Sequence, residues 1–380
     1  MALAHADWNY PTAIRFGAGR VAELPAACRA LGIERPLLVT DPALAEMAMV
    51  RSVAAAGTFS DIHPNPVGAD VEQGVAAFAA GGHDGVIAFG GGSALDVGKV
   101  VAFMAGQTRP LWDFEDKADW WTRADPAGIA PVVAVPTTAG TGSEVGRAGV
   151  ILDEAAGVKK IIFHPAMLPA IVILDPELTV GLPAHVTAAT GMDALSHCLE
   201  AYCAPGFHPM ADGIAAEGVR LSREWLPRAF AQGNDLEARG HMLVAASMGA
   251  TAFQKGLGGM HALSHPIGAL CGSHHGLTNA VLMPYILAFN RERIEPRIVR
   301  LAGYIGLERA SFAGFLDWIV ELRRQLGIPH SLAGLDVAPG SLDRIAQMAE
   351  EDPSAGGNPL PFGAAEARQV LDAAMAGRVG

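Results

Sequence analysis

Cysteine is scarce in this chain: four residues in 380, at positions 28, 198, 203 and 271. Their spacing makes neither a CxxC redox pair nor a zinc knuckle, so reduced, buried thiols in a cytoplasmic protein are expected. Charge is sparse too, at 17% of residues, and it leans acidic, with 39 Asp and Glu against 27 Lys and Arg. A net charge of -12 with no run of Lys or Arg offers nucleic acid no basic face, which removes that class of partner. No apolar run reaches the roughly 18 residues that a membrane span needs, so no membrane partner is expected. The first residues lack a charged stretch leading into an apolar one, so no signal peptide is expected either. HExxH is missing, which disfavours a zinc hydrolase.

What is present suits a large folded protein. Hydrophobic residues form 51% of the chain, ample for a dry core, and the length favours two domains. The first half alternates strand 36–41, helix 42–56, strand 59–62, a helix over about 70–80 and strand 85–89. That rhythm predicts a parallel sheet covered on both faces. A further apolar strand covers 132–135, and strands at about 149–153, 159–163 and 170–174 close this half. Phe16-Gly17-Ala18-Gly19 reads as a tight turn. Trp112, Trp120 and Trp121 crowd the irregular segment 107–128, where they could line a pocket or a subunit contact. Beyond Pro183 the periodicity is helical, over 183–203, 209–230, 235–254, 259–271, 276–290, 292–305, 311–326, 341–350 and 364–376.

Two loops carry the first chemistry. The strand at 85–89 runs into Gly90-Gly91-Gly92-Ser93, with Asp96 and Lys99 on the helix that follows. Glycines let backbone approach a ligand closely, and a helix start offers unpaired N–H groups to a phosphate. The strand at 132–135 delivers Pro136-Thr137-Thr138-Ala139-Gly140-Thr141-Gly142-Ser143-Glu144, whose hydroxyls suit a diphosphate and ribose. Loops leaving parallel strands at one edge of an open sheet form a nucleotide site. Asp41 also ends a strand. It could bond a ribose 2′-hydroxyl, favouring NAD over NADP, or cap the helix that begins at Pro42.

Histidines carry the second. Asp193 and His197 lie four apart, on one face of a helix, and His261 and His265 repeat the spacing, with His275 following. One carboxylate and several imidazoles on two helices and a loop suit a borderline divalent cation. On spacing alone, Asp193, His197, His261 and His275 make a four-ligand site, while His265 and His274 stay open. His164, His208 and His241 have no partners in sequence and read as structural or surface residues. Residues 1–182 are therefore expected to form an α/β dinucleotide-binding domain with a parallel sheet. Residues 183–380 are expected to form an all-helical metal-binding catalytic domain, with the cleft between the two.

Several long motifs now coincide: the 90–99 and 136–144 loops, Ala189-Thr190-Gly191-Met192-Asp193-Ala194-Leu195-Ser196-His197, and Gly256-Leu257-Gly258-Gly259-Met260-His261-Ala262-Leu263-Ser264-His265-Pro266-Ile267-Gly268. In these the chain resembles the iron-containing (group III) alcohol dehydrogenases over nearly its whole length. The resemblance implies hydride transfer between a small alcohol or aldehyde and NAD, with Fe(II) favoured and Zn(II) or another divalent ion compatible. It implies Asp193, His197, His261 and His275 as ligands and His265 as a proton relay. It implies Asp41, Asn65, Gly91, Gly92, Ser93, Asp96, Thr137, Thr138, Thr141, Ser143 and Lys159 at the dinucleotide, with Lys160 adjacent in register, and Thr179 and Leu182 at the nicotinamide end. A homodimer or larger homo-oligomer is also implied. Departures from the family pattern at Arg147, Lys255 and Leu360 bear on the substrate, because a cation in the cleft would suit an anionic semialdehyde interconverting with a hydroxy acid. A hydroxyacid–oxoacid transhydrogenase, a maleylacetate-type reductase and a non-catalytic metal or nucleotide binder are the competing readings.

Overall fold

The computed structural model describes residue 10 and residues 12–379. Contacts divide the chain into two compact units, Tyr10–Gly181 and Leu182–Gly380.

The first unit is built on a parallel sheet of six strands. β1 (Ala13–Phe16), β2 (Pro36–Val39), β3 (Gly57–Phe59), β4 (Gly85–Gly90), β5 (Val132–Pro136) and β8 (Ile171–Leu174) run in the order β1-β8-β5-β4-β2-β3. β2, β4, β5 and β8 are buried at every position. Such strands read as continuous apolar runs rather than alternations, which is why the sequence announces them. β1 carries no such run: at the edge of the sheet it leaves Ala13, Ile14 and Phe16 exposed. Behind it, the turn at 17–19 is tied down by the wholly buried Asp175, which accepts from the N–H groups of Gly19 and Val21.

Three expectations change here. The strands at 149–153 and 159–163 do not join the sheet. They form an antiparallel hairpin, β6 (Ala148–Asp153) with β7 (Val158–Phe163). The strict inside–outside alternation of β6 marks a strand with one buried face, not two. The helix expected over 42–56 is two single turns, α2 (Pro42–Ala45) and α3 (Ala48–Arg51), after α1 (Leu24–Ala30). The strand expected over 59–62 lies earlier, at β3. Helices α4 (Gly68–Ala80) and α5 (Gly92–Met104) complete the unit. The tryptophan segment folds back on its own unit: Trp112 lies beside Gly68 and Lys160, and the Arg123 guanidinium stacks 4.0 Å from the Trp120 ring.

The second unit is helical. α6 (Ala184–Cys203) packs against α7 (Pro209–Ala231), α8 (Leu236–Ala252) and α10 (His275–Tyr304); α9 (Gly259–Cys271) packs against α10 and α12 (Leu342–Glu351). α11 (Phe312–Gln325) and α13 (Ala364–Ala376) complete the set. From Thr187 onward all of α6 except Thr190 is buried, including Cys198 and Cys203. α10 corrects the reading of two helices at 276–290 and 292–305: it is one helix of 30 residues with Pro284 and Pro296 inside it. The polar run 291–293 is exposed, while Asn290, Ile294, Ile298 and Leu301 continue the buried stripe at helical spacing. Among the described residues no helix is long and apolar enough to cross a membrane.

Candidate metal centre and nucleotide loops

α6 turns Asp193 and His197 to one face, one turn apart, and α9 and α10 bring His261 and His275 to meet them. One potential ligand atom from each of the four lies within 4.8 Å of all the others. Asp193, His197 and His261 are buried and His275 is half-buried. The His197 and His261 rings stack with centroids 4.7 Å apart, and His275 Nε2 stands 3.6 Å from Asp193 Oδ1. Gly276 makes this approach possible. A Cβ there would sit 2.4 Å from the Ala189 carbonyl oxygen and 2.9 Å from Asp193 Cβ, so only glycine lets the first turn of α10 lie on α6.

The donor set fits a divalent cation. A buried carboxylate is costly without a positive partner. Among the described residues the ion-pair partner of Asp193 is an imidazole, not Lys or Arg. Three imidazoles and a carboxylate are the mixed ligation that Fe(II), Zn(II) and similar ions accept.

Residues that spacing did not single out hold this cluster. Glu200 Oε2 stands 2.6 Å from His261 Nδ1. Burial alone would lower the His261 pKa, but the Glu200 hydrogen bond and nearby carboxylates outweigh it and hold it above the ordinary value. The Asn279 amide nitrogen donates to Asp193 Oδ1 at 2.9 Å and lies 3.2 Å from both His261 Nε2 and His275 Nε2. Its Oδ1 is buried with no hydrogen-bond partner among the described residues. Glu200 continues the stripe of Asp193 and His197, and Asn279 follows His275 by four, so helical spacing carried both signals. Asp352, in the polar step before Pro353, gave none.

His265 is not among the four grouped donors. Its ring stacks on His275 with centroids 5.4 Å apart, and its Nδ1 stands 2.7 Å from Asp352 Oδ2. Burial pushes the Asp352 carboxyl up, but the charge and hydrogen bond of His265 more than reverse this and hold it below the usual range. His274 also lies outside the cluster and caps α10 through the Leu277 N–H. His208 caps α7, His164 caps a short turn, and His241 stacks on Trp225 at 4.1 Å.

In the first unit β4 and β5 pair with Gly90 opposite Pro136, so their loops leave the same edge of the sheet. A Cβ on Gly92 would stand 2.7 Å from Thr141 Cγ2, and one on Gly91 would stand 3.4 Å from Thr138 Cγ2, so the loops touch. Thr137 is buried and Thr138 half-buried. Ser93 Oγ donates to the Pro64 carbonyl at 2.7 Å, bringing the 63–66 turn alongside. Lys159 Nζ donates to Asn65 Oδ1 at 3.0 Å, while Lys160 pairs with Asp153 at 2.7 Å, which separates the two neighbouring lysines. Asp41 caps α2, accepting the Leu44 N–H at 2.9 Å, and its Oδ2 lies beside Gly90.

Some candidates are committed elsewhere. Asp96 accepts from Ser143 Oγ and the Val150 N–H and pairs with Lys99, so it braces the second loop and the hairpin. Thr179 has no exposed surface, and its hydroxyl donates to Pro176 O. Leu182 is half-buried, its carbonyl taken by Arg239. The buried ammonium of Lys255, expected near the substrate, is held by Asp212 Oδ1 at 2.6 Å and the Tyr202 carbonyl at 3.2 Å. Burial lowers its pKa, against the pull of Asp212. Arg147 is half-buried with its guanidinium 5.5 Å from the Phe163 ring.

Comparison with known proteins agrees over the whole length. The family model for iron-containing alcohol dehydrogenase matches residues 11–176, and that for the C-terminal part of the Fe-containing alcohol dehydrogenase family matches residues 187–375. A 4-hydroxybutyrate dehydrogenase of Cupriavidus necator is 39% identical, covering 96% of this chain and 99% of its own. An NAD-dependent methanol dehydrogenase of Bacillus methanolicus is 34% identical, covering 96% and 98%. Among solved structures, a 1,3-propanediol oxidoreductase superposes with a TM-score of 0.92 at 32% identity, covering 98% of this chain and all of its own.

Proposed function

The chain belongs to the iron-containing alcohol dehydrogenase family, and from that footing we propose a cytoplasmic, NAD-dependent enzyme that interconverts a short hydroxy acid and its semialdehyde. The observation that carries the metal-dependent dehydrogenase part of this reading is the convergence of Asp193, His197, His261 and His275 within 4.8 Å. These four residues would hold the divalent ion, iron by family preference. When bound, such an ion supplies Lewis acidity towards the substrate oxygen and NAD exchanges the hydride.

The residues of the chain do the rest. Gly91, Gly92 and Ser93 at the start of α5, with Thr137, Thr138, Thr141 and Ser143, would bind the diphosphate, and Lys159 with Asn65 a ribose. Asp41 would accept from the adenosine ribose and repel a 2′-phosphate. Leu182 would pack at the nicotinamide end. Because Asp352 takes His265 Nδ1, Nε2 is the atom at which His265 would hold or release the substrate proton. A homodimer or larger homo-oligomer is the assembly we expect.

Two features support an anionic substrate: the Arg147 guanidinium, which matches a carboxylate fork, and likeness to a 4-hydroxybutyrate dehydrogenase. The test is reduction of succinic semialdehyde against butanal by the metal-loaded enzyme, with NADH and NADPH in turn. We expect kcat/KM at least about tenfold higher for the semialdehyde, as one charge-assisted hydrogen bond provides, with NADH preferred. Arg147→Ala should erase that advantage. Equal efficiency with both aldehydes, unchanged by the substitution, would end the anionic assignment while leaving the dehydrogenase intact.

A further inference from the structure

Glu200 lies on α6 seven residues after Asp193 and three after His197, so the helix presents all three on one side. Only 5% of Glu200 is exposed, and its carboxylate commits both oxygens to α9. Oε1 accepts the Met260 N–H at 2.7 Å, and Oε2 stands 2.6 Å from His261 Nδ1. α9 has no side-chain cap of its own, since its N-cap residue is Gly258. Its first two N–H groups are met from distant segments: Gly259 by Asn358 Oδ1 at 3.1 Å, Met260 by Glu200. Buried helix starts require such partners, so these acceptors fix where α9 begins. Asn358 is itself braced by Asn290 through two amide hydrogen bonds of 2.8 and 2.9 Å.

We infer that Glu200 is a positioning residue for the metal centre: one carboxylate seats the start of α9 and holds the His261 ring with its proton on Nδ1, leaving Nε2 on the side of Asn279, Asp193 and His275. The inference rests on the ligand assignment proposed above. The chemistry requires a carboxylate. An ionised Glu accepts at both oxygens, so it serves the helix start and the imidazole together. An amide offers one acceptor and one donor. With its oxygen on the Met260 N–H, a Gln would present NH2 to His261 Nδ1 and favour the tautomer protonated on Nε2, closing the nitrogen that a cation needs. Turned the other way, it would leave Met260 uncapped and α9 unseated. A carboxylate behind a ligating imidazole also makes it a better donor, and removing such partners costs about 10–100-fold in metal affinity.

The test uses the full chain, with Zn(II) affinity read by chelator competition and Co(II) absorption as a probe of coordination geometry. Glu200→Gln should bind Zn(II) about 10–100-fold more weakly and change the Co(II) spectrum, while its circular dichroism stays that of a folded protein. His261→Ala, run alongside, should lose both signals. Unaltered affinity and spectrum in folded Glu200→Gln, with His261→Ala defective, overturn the role of Glu200 and leave the ligand set standing. Metal retained by His261→Ala overturns the ligand set instead. Should Glu200→Gln not fold, the zinc-loaded native chain decides. Ring-nitrogen NMR should find His261 protonated at Nδ1, its proton shifted downfield by the carboxylate. An unprotonated Nδ1 would refute the inference.

Discussion

His63 is exposed, yet its Nδ1 stands 2.7 Å from Oδ1 of the buried Asp70, whose other oxygen accepts the N–H groups of His63 and Val67. This one carboxylate organises the turn that carries Asn65. The Asp70 hydrogen bond and charge raise the His63 pKa above the ordinary value of 6.5. The sign follows: stability from the charged pair is fully present below about pH 6.5 and is lost as pH rises through the higher folded value. We expect an NMR titration to place His63 above a model histidine, and His63→Ala to flatten the pH dependence of stability in that window. A native titration at or below 6.5 would remove the pair as a contributor. Asp41 and Lys255 show the other side of the residue scale. Sequence can nominate a charge at a strand end or before a glycine run. What each of them meets depends on its neighbours: one Asp41 oxygen accepts the nearby Leu44 N–H, and the half-buried Asp212, 43 residues away, pairs with Lys255.

Elements were legible where one period dominated. The fully buried strands and the amphipathic helices of the second unit stand out because burial on two faces, or on one stripe, writes a simple pattern. β1 escaped, since an edge strand of four residues needs little hydrophobicity. The β6–β7 hairpin was misplaced because strand propensity says nothing of partner. α10 was split in two at 291 because an exposed polar turn looks the same inside a helix as at a break. The first turn of α10 gives the element-scale prediction. Gly276→Ala must push α10 away from the Ala189 carbonyl, and overpacking of this kind costs about 1–3 kcal/mol. Urea unfolding should report that loss, and Zn(II) affinity should fall with it because His275 moves. If neither changes, the close packing of α10 on α6 does not set the position of His275.

At the scale of the molecule, Asp193 and His197 were readable because they lie a helical turn apart, His261 and His275 because each follows or precedes a glycine step, and the two glycine and threonine loops because each leaves a strand end. Their supports were legible only in part: Glu200 and Asn279 lie at helical spacing from ligand candidates, and Asp352 does not. Glu200, Asn279 and Asp352 act across elements, and tertiary packing alone shows which side chain backs which imidazole. With the ligands on α6, α9 and α10, an ion bound there stabilises the second unit and not the first. Zn(II) at a hundred times its Kd contributes about 2.7 kcal/mol, or roughly 5–10 °C in the transition of a unit this size. Calorimetry with and without chelator should show only that transition moving; a shift of both by the same amount would mean that the units melt together.

The helix carrying Asp193 and His197 also carries Cys198 and Cys203, both unpaired and enclosed, and burial pushes both thiols up to about 12. Neither forms a thiolate at neutral pH while that helix stays closed. Alkylating reagents therefore reach these sulfurs only when the ligand-bearing helix breathes, and their loss, told apart by peptide mass from that of the equally buried Cys28 in the other unit, becomes an internal clock for the opening and closing of the metal site.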